Sequence, residues 1–458
     1  MKLKIFLTLL LIGSFSFGTI AQTVLKENLS KKVNFYYDKN RIQLQASGYY
    51  YKDASGETTE KHGRWRYYDR TGALEEERHY YKDMLYGKTL VYFPNKQLRR
   101  EGYFKFNKQD SIFKEYYENG KLMTEGEYQL DRPVGTWKYY YLTGKLKSVE
   151  QVADSTVFVE EFYLPDRLHT QTIVEGNGEL TVFFQTGKIK EHYNYKNGLK
   201  EGDFEEYSIY DYPLLKGSFK EGKRHGKWTH YFYTGEVEKE LNYTNGILDG
   251  PFVNYYDNKK VQVKGQYDMG KKIGTWEWFT NAGTVDMKGD FLEDEQHGDW
   301  FYHYPEGPLS YEAHFDKGMR TGKWKYFYKN QKPFKIGTYE NDKKNGLWET
   351  WYENEVLLMS GNYKDGKEEG VWENYWQNGE LKNKSTFKAG LLNGEWQSFH
   401  ESGKLSIKGF YTDNFKDGEW ISYFENGMPK EIKNYKLFKE KEKLKSSPIQ
   451  LEGKIDSR

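Results

Sequence analysis

Gly370-Val371-Trp372-Glu373-Asn374-Tyr375-Trp376-Gln377-Asn378-Gly379-Glu380-Leu381 decides the fold. A glycine stands two residues before a tryptophan. A second aromatic comes three residues later, then Asn-Gly, then a short run that ends in another Gly-x-aromatic. Short aromatic-rich runs bounded by Asn-Gly or Asp-Gly are the strongest local signal for β-hairpins. Asn378-Gly379 suits a two-residue loop because both residue types tolerate positive φ.

Outward from this stretch the anchor repeats every 24 residues, at Gly226/Trp228, Gly250/Phe252, Gly274/Trp276, Gly298/Trp300, Gly322/Trp324, Gly346/Trp348, Gly370/Trp372, Gly394/Trp396 and Gly418/Trp420. An earlier set, Gly63/Trp65, Gly87/Thr89, Ser111/Phe113 and Gly135/Trp137, has the same spacing. Between Gly135 and Gly178 one unit is short and degenerate, around Val157 to Pro165. Counting it gives about 16 units, and a period of this length marks a repeat architecture. The second aromatic recurs as Tyr140, Tyr207, Tyr231, Tyr255, Phe279, Phe327, Trp351, Tyr375, Phe399 and Tyr423.

A lone hairpin is marginal in water, so units of this kind must be stabilised by stacking on one another. Side chains alternate along a strand, which puts the two aromatics of a unit on opposite faces. The expected fold is therefore all-β: tandem 24-residue β-hairpin repeats forming one elongated twisted antiparallel sheet. The anchor glycine is expected to let a neighbouring ring lie over the backbone. Most rings are expected to pack the sheet, and Trp278, Trp351 and Trp376 are the outward candidates for ligand contact.

Composition agrees. Aromatics make up 18% of the chain and charged residues 30%, with 45 Gly. The mean hydropathy is −0.96, yet a disordered chain would be poor in aromatics. The formal net charge of +1 gives no electrostatic footprint for nucleic acid. With no Cys, disulfide frameworks, thiolate zinc sites and thiol catalysis are excluded.

Several segments are expected along the chain. Residues 1–21 pair a basic start with an apolar run and small residues near Ala21, the pattern of a cleaved signal peptide. Residues 22–62 hold a degenerate first repeat, 63–153 the first block, 154–177 the short unit and 178–435 the second block. Residues 436–458 form a basic tail, in which Leu437–Leu444 is expected to cap the last open edge. No later stretch is apolar enough to span a bilayer, and membrane-surface contact is the less favoured role for the tail.

Tyr117-Glu-Asn-Gly-Lys-Leu122, continuing to Tyr128, and Trp376-Gln-Asn-Gly-Glu-Leu381 resemble the bacterial MORN-variant repeat, Tyr/Phe-x-x-Asn-Gly-x-Leu-x-x-x-Gly-x-Tyr. Tyr233-Thr-Gly-Glu-Val237 and Phe424-Glu-Asn-Gly-Met428 are similar. The resemblance covers roughly residues 33–435. It implies a MORN-like solenoid of β-hairpins with a role in protein or lipid interaction, and it supplies no catalytic residues. Chains with this repeat are often labelled YwqK-type antitoxins, a label that sits poorly with an export signal.

Chemistry-bearing clusters are few. His297, His303 and His314 lie near Glu293, Asp294, Glu295 and Asp299, with Asp299 expected to face His314 across a hairpin. That spacing makes a metal site conceivable, but the favoured interpretation is a ring substitution beside solvated acids. Glu160-Glu161 and Glu368-Glu369 are adjacent, so their carboxylates point to opposite faces and cannot form a glycosidase pair. Gly270-Lys-Lys-Ile-Gly274 lacks the spacing and helix of a phosphate loop. The sequence therefore predicts a non-enzymatic exported scaffold without cofactor or metal, bound to a protein or an extended polymer. The alternatives are a carbohydrate- or wall-binding protein, and an antitoxin or immunity protein.

Overall fold

The computed structural model describes residues 28–436. The expected signal peptide and the expected cap at Leu437–Leu444 lie outside them. The described residues form thirty-six strands and no helix, from Val33–Tyr36 to Pro429–Tyr435. The chain divides into two compact units, Met1–Arg224 and His225–Arg458. Within each, successive strands pair antiparallel as hairpins.

The hairpin Lys367–Tyr375 with Leu381–Lys388 shows how the repeat sequence folds. Its pairs run from Gly370↔Phe387 to Asn374↔Asn383, then shift by a bulge to Tyr375↔Leu381. The loop is closed by Trp376 N–H to Glu380 O at 2.7 Å and by Gly379 N–H to Trp376 O at 2.9 Å. Gly379 has φ +92°, while Asn378 has no positive φ. This corrects the expected two-residue Asn-Gly turn: the loop has three residues, a type I turn ending in a left-handed residue.

Two-residue turns with both φ values positive occur at the opposite edge, where one unit passes to the next. They run from Lys82-Asp83 to Asp413-Asn414 and include Asp365-Gly366 and Ala389-Gly390. That geometry is type I′, whose twist matches the flanking strands. The second position is most often Gly, and Asp, Asn or Ser in the other turns.

The anchor glycines have a different role from the one expected. Gly370, at φ +74°, has nothing within 4 Å of where a Cβ would stand, and Gly274, Gly346 and Gly418 are alike. They mark a bulge: Ser360 pairs with Glu373 but Asn362 with Glu369, so two extra residues sit on the anchor strand. Ring cover belongs to the second glycine of the unit. A Cβ on Gly361 would lie 2.0 Å from the Trp372 ring, and Gly126, Gly265, Gly289, Gly337 and Gly409 meet Trp137, Trp276, Trp300, Trp348 and Trp420 in the same way.

These rings are the core. Trp65, Trp137, Trp228, Trp276, Trp300, Trp324, Trp348, Trp372 and Trp420 are all buried, and Trp396 is partly buried. Trp137, Trp276, Trp300, Trp348, Trp372 and Trp420 meet the aromatic two residues after the second glycine edge to face. Tyr363 lies 5.0 Å from Trp372 at 85°, Tyr339 5.2 Å from Trp348 at 88°, and Tyr128 5.1 Å from Trp137 at 88°. Tyr363 also meets the preceding Trp348 at 5.9 Å and 81°, so the contact passes from unit to unit. Several indole nitrogens donate to backbone, as Trp372 Nε1 does to Asn362 O at 3.1 Å and Trp348 Nε1 to Thr338 O at 3.1 Å, whereas those of Trp137 and Trp276 are buried without a partner among the described residues.

Candidate interaction surface

Both rows of turns are locked unit to unit, which fixes what each edge presents. At the three-residue loops, Asn378 Nδ2 donates to Glu401 O at 2.9 Å, and Asn119 Nδ2 to Leu142 O at 3.0 Å. Tyr328 and Tyr352 donate their hydroxyls to Trp351 O at 2.8 Å and Tyr375 O at 3.0 Å. At the type I′ turns, Gly366 N–H reaches Lys344 O at 2.9 Å. Where glycine is replaced, the side chain adds a second bond: Asn414 Oδ1 accepts from Leu392 N–H at 2.6 Å, and Asp342 Oδ1 from Arg320 N–H at 2.9 Å.

Cations cover the exposed rim of the ring row. Lys344 Nζ lies 4.6 Å from the Trp348 ring and 4.7 Å from Tyr363; Lys416 Nζ lies 4.2 Å from Trp420 and 5.1 Å from Tyr435. Burial pulls the Lys344 ammonium below the usual lysine range, and repulsion from Lys335 and Arg320 adds to it. The opposite face carries ion pairs across strands, such as Glu277 between Lys264 and Lys288 and Glu373 with Lys384 at 2.9 Å. These are partly exposed and each contributes little to stability. Their use is a patterned polar face.

The three candidate tryptophans part company. Trp278, expected to face outward, sits in the ring row, with centroids 6.0 Å from Trp276 and 5.8 Å from Trp300. Its neighbours continue the row: Tyr302 and Tyr311 stack at 4.1 Å and 11°, and Tyr311 meets Tyr326 at 5.4 Å. Their ring faces are thus turned to each other. Trp351 and Trp376 are partly buried; Trp376 Nε1 donates to Phe399 O at 3.3 Å, and Lys382 Nζ stands 4.4 Å from its ring.

Asp299 does pair with His314, through Asp299 Oδ1 and His314 Nδ1 at 2.7 Å. His297 pairs instead with Asp316 at 3.3 Å. Among the described residues no group of three or more His, Asp or Glu is gathered as metal ligands would be. Two open grooves flank the short unit. One is lined by Leu164, Thr172, Glu179, Thr181 and Phe183, the other by Gln151, Phe158, the carboxylates Glu160, Glu161 and Glu175, and Asn197. Sequence inspection missed the first groove because it arises from a strand that stops early, although the break in the period marked the place.

The tandem hairpins, the type I′ links and the Gly/Trp slots match a family model described as the MORN repeat variant. It fits residues 61–83, 85–106, 109–130, 133–153, 177–197, 224–245, 248–269, 344–365, 368–389, 392–413 and 416–437. The chain belongs to the MORN repeat variant family. The anchor tryptophans between the matched segments, Trp276, Trp300 and Trp324, are buried like the rest. MORN repeats suggest a binding role.

No match was found among curated proteins. Among solved structures, the chain is similar to one titled as TcdB2-TccC3-Cdc42, at 10% identity and TM-score 0.15, covering 86% of this chain and 27% of that one. It is also similar to TcdB2-TccC3, at 11% identity and TM-score 0.12, covering 86% and 27%. A third is the Photorhabdus luminescens Tc holotoxin pore, at 12% identity and TM-score 0.14, covering 86% and 23%. The chain spans about a quarter of the length of these chains. Among the described residues no helix is long and apolar enough to cross a membrane.

Proposed function

We propose that this chain is an exported, non-enzymatic scaffold that engages an extended protein partner along its repeating surface. The observation that supports this most is recurrence. Turn-edge asparagines, ring-capping cations and cross-strand ion pairs recur in several units. A partner touched at several units gains affinity from many weak contacts, because each later contact forms at high effective concentration. Export rests on the Met1–Ala21 pattern.

The experiment captures partners of the full chain by cross-linking in the envelope of its native cell. Affinity for the captured protein is then measured for a series of chains, each ending one period earlier. A stepwise fall is expected, and all-or-none loss at one unit would refute distributed binding. Fractionation that finds the chain in the cytoplasm would refute export. A second interpretation, a wall or glycan ligand, draws on the partly exposed Trp376 with Lys382 beside it. A glycan array probed with the native chain and with Trp376→Ala separates the two.

A further inference from the structure

The short unit leaves a place where the strand ladder opens inside the first unit. Strands elsewhere mostly run eight or nine residues, as in Ile189–Lys196, whereas Gln171–Val174 has four. That short strand stays on Thr156–Tyr163, through Phe162↔Ile173 and Tyr163↔Gln171. It meets the next strand, Asn177–Phe183, only at Ile173↔Gly178 and Val174↔Asn177. Beyond those two pairs, Glu179–Phe183 is laddered on its other side alone, from Glu179↔Asn194 to Phe183↔Ile189. In an antiparallel ladder, alternate residues direct their N–H and C=O to opposite sides. Part of the backbone of Glu179–Phe183 therefore faces the split.

The split is an open groove of about 390 Å³, with Leu164 and Thr172 on one wall and Glu179, Thr181 and Phe183 on the other. The Thr172 hydroxyl is buried at that wall and has no hydrogen-bond partner among the described residues. Phe183 is 50% exposed, a large apolar side chain left uncovered.

We propose that this split takes one extended peptide segment of a partner protein, added as a strand to the open edge of Asn177–Phe183. The complement of an open strand edge is another backbone, with donors and acceptors alternating at strand spacing. A sugar chain has no such alternation. Side chains then set the preference. Glu179, Thr181 and Phe183 share one face, because strand side chains alternate. The charge of Glu179 calls for a cation, and Phe183 with Leu164 calls for an apolar side chain. These two sites are four residues apart, so the peptide carries Lys or Arg and a large apolar residue at that spacing. The proposal rests on the protein-binding role above and adds one local contact that does not depend on the distributed ones.

The probe is a labelled peptide, Ser-Lys-Thr-Val-Thr-Phe-Ser, together with its reversed sequence, titrated against the full chain by fluorescence anisotropy. Saturable binding of one of the two is expected. N-methylation of one alternate set of its backbone amides is expected to weaken binding ~tenfold or more, and of the other set hardly at all. Glu179→Lys is expected to weaken the Lys peptide ~tenfold and to favour a peptide with Glu in that place, with the melting curve unchanged. Binding of neither peptide, indifference to N-methylation, or indifference to Glu179→Lys would overturn the proposal. Truncation from the C-terminal end distinguishes the two ideas. Peptide binding kept while partner affinity stays flat sinks the distributed scaffold and leaves this site standing. Peptide binding lost on Phe183→Ser supports the site whatever the truncations show; peptide binding retained in that variant overturns it.

Discussion

Two glycines recur at fixed spacing in many of the units for different physical reasons, and substitution separates them. Gly361 yields space to an indole, with a Cβ position 2.0 Å from Trp372, whereas Gly370 yields a backbone angle, φ +74°, with open space around it. Gly361→Ala is expected to cost about 1–3 kcal/mol through overpacking, and Trp372→Phe to relieve part of that cost. The slot follows ring size only in part: Leu241 stands eleven residues before Phe252 and Tyr193 before Phe204, yet Ala313 stands before Trp324 and Ser385 before Trp396. Gly370→Ala is expected to cost about 1–2 kcal/mol through the left-handed angle, with no relief from Trp372→Phe. Urea midpoints of the single and double variants decide it; strict additivity of Gly361→Ala and Trp372→Phe would contradict the steric account. The ring row also sets a pH response. Burial, helped by repulsion from Glu368, pushes the Tyr363 hydroxyl up to about 12. The folded state then keeps a proton that the unfolded chain releases. The associated stability is complete below about pH 10 and is lost as pH rises from there through about 12. Tyr363→Phe is expected to flatten the fall in urea midpoint over that window, and an unchanged slope would count against it.

At the scale of the element, the two turn types explain which residues each edge tolerates. Ala389 holds φ +51° at the first position of a type I′ turn, a conformation that costs an ordinary residue about 1–2 kcal/mol. Asn245-Gly246 and Asn197-Gly198 fill the same turn elsewhere. Ala389→Asn is expected to raise stability by about 0.5–1 kcal/mol, checked by thermal and urea unfolding. At the other edge, Asn378 accepts from Glu380 N–H at 2.9 Å and donates to Glu401 O at 2.9 Å. Asn378→Ala removes both bonds and is expected to cost about 1–2 kcal/mol. Faster amide exchange should reach Glu380 and the neighbouring loop at Glu401–Gly403; exchange confined to residues 377–380 would mean that the loops are not coupled.

At the scale of the whole molecule, the unit of construction is one period of paired strands. Removing residues 322–345 takes out one strand pair and one Gly/Trp slot, leaving neighbours that carry the same grammar. That deletion is expected to leave a cooperatively folded chain. Removing residues 322–333 takes out one strand of a pair, reverses the direction of every later strand and is expected to abolish cooperative unfolding in the second unit. Calorimetry of both chains checks this, and equal tolerance would mean that the period is not the structural unit.

The sequence by itself determined the class of fold and its period. Gly-x-Trp at constant spacing, with Asn-Gly and Asp-Gly between, leaves antiparallel hairpins as the structure that satisfies alternation and turn chemistry together. It also located the Asp299–His314 pair, because cross-strand register is set by loop position. What it could not decide was anything set by a bulge. The two extra residues at Gly370-Val371-Trp372 change which glycine lies under the ring. Trp278 was legible without the bulge: it stands two residues after Trp276 on one strand, so alternation puts both rings on the same face, and it lies among Trp276, Phe291 and Trp300. Only the tertiary structure showed that the short unit splits the ladder beside Glu179–Phe183, because the pairing of a strand depends on neighbours that its own residues do not specify.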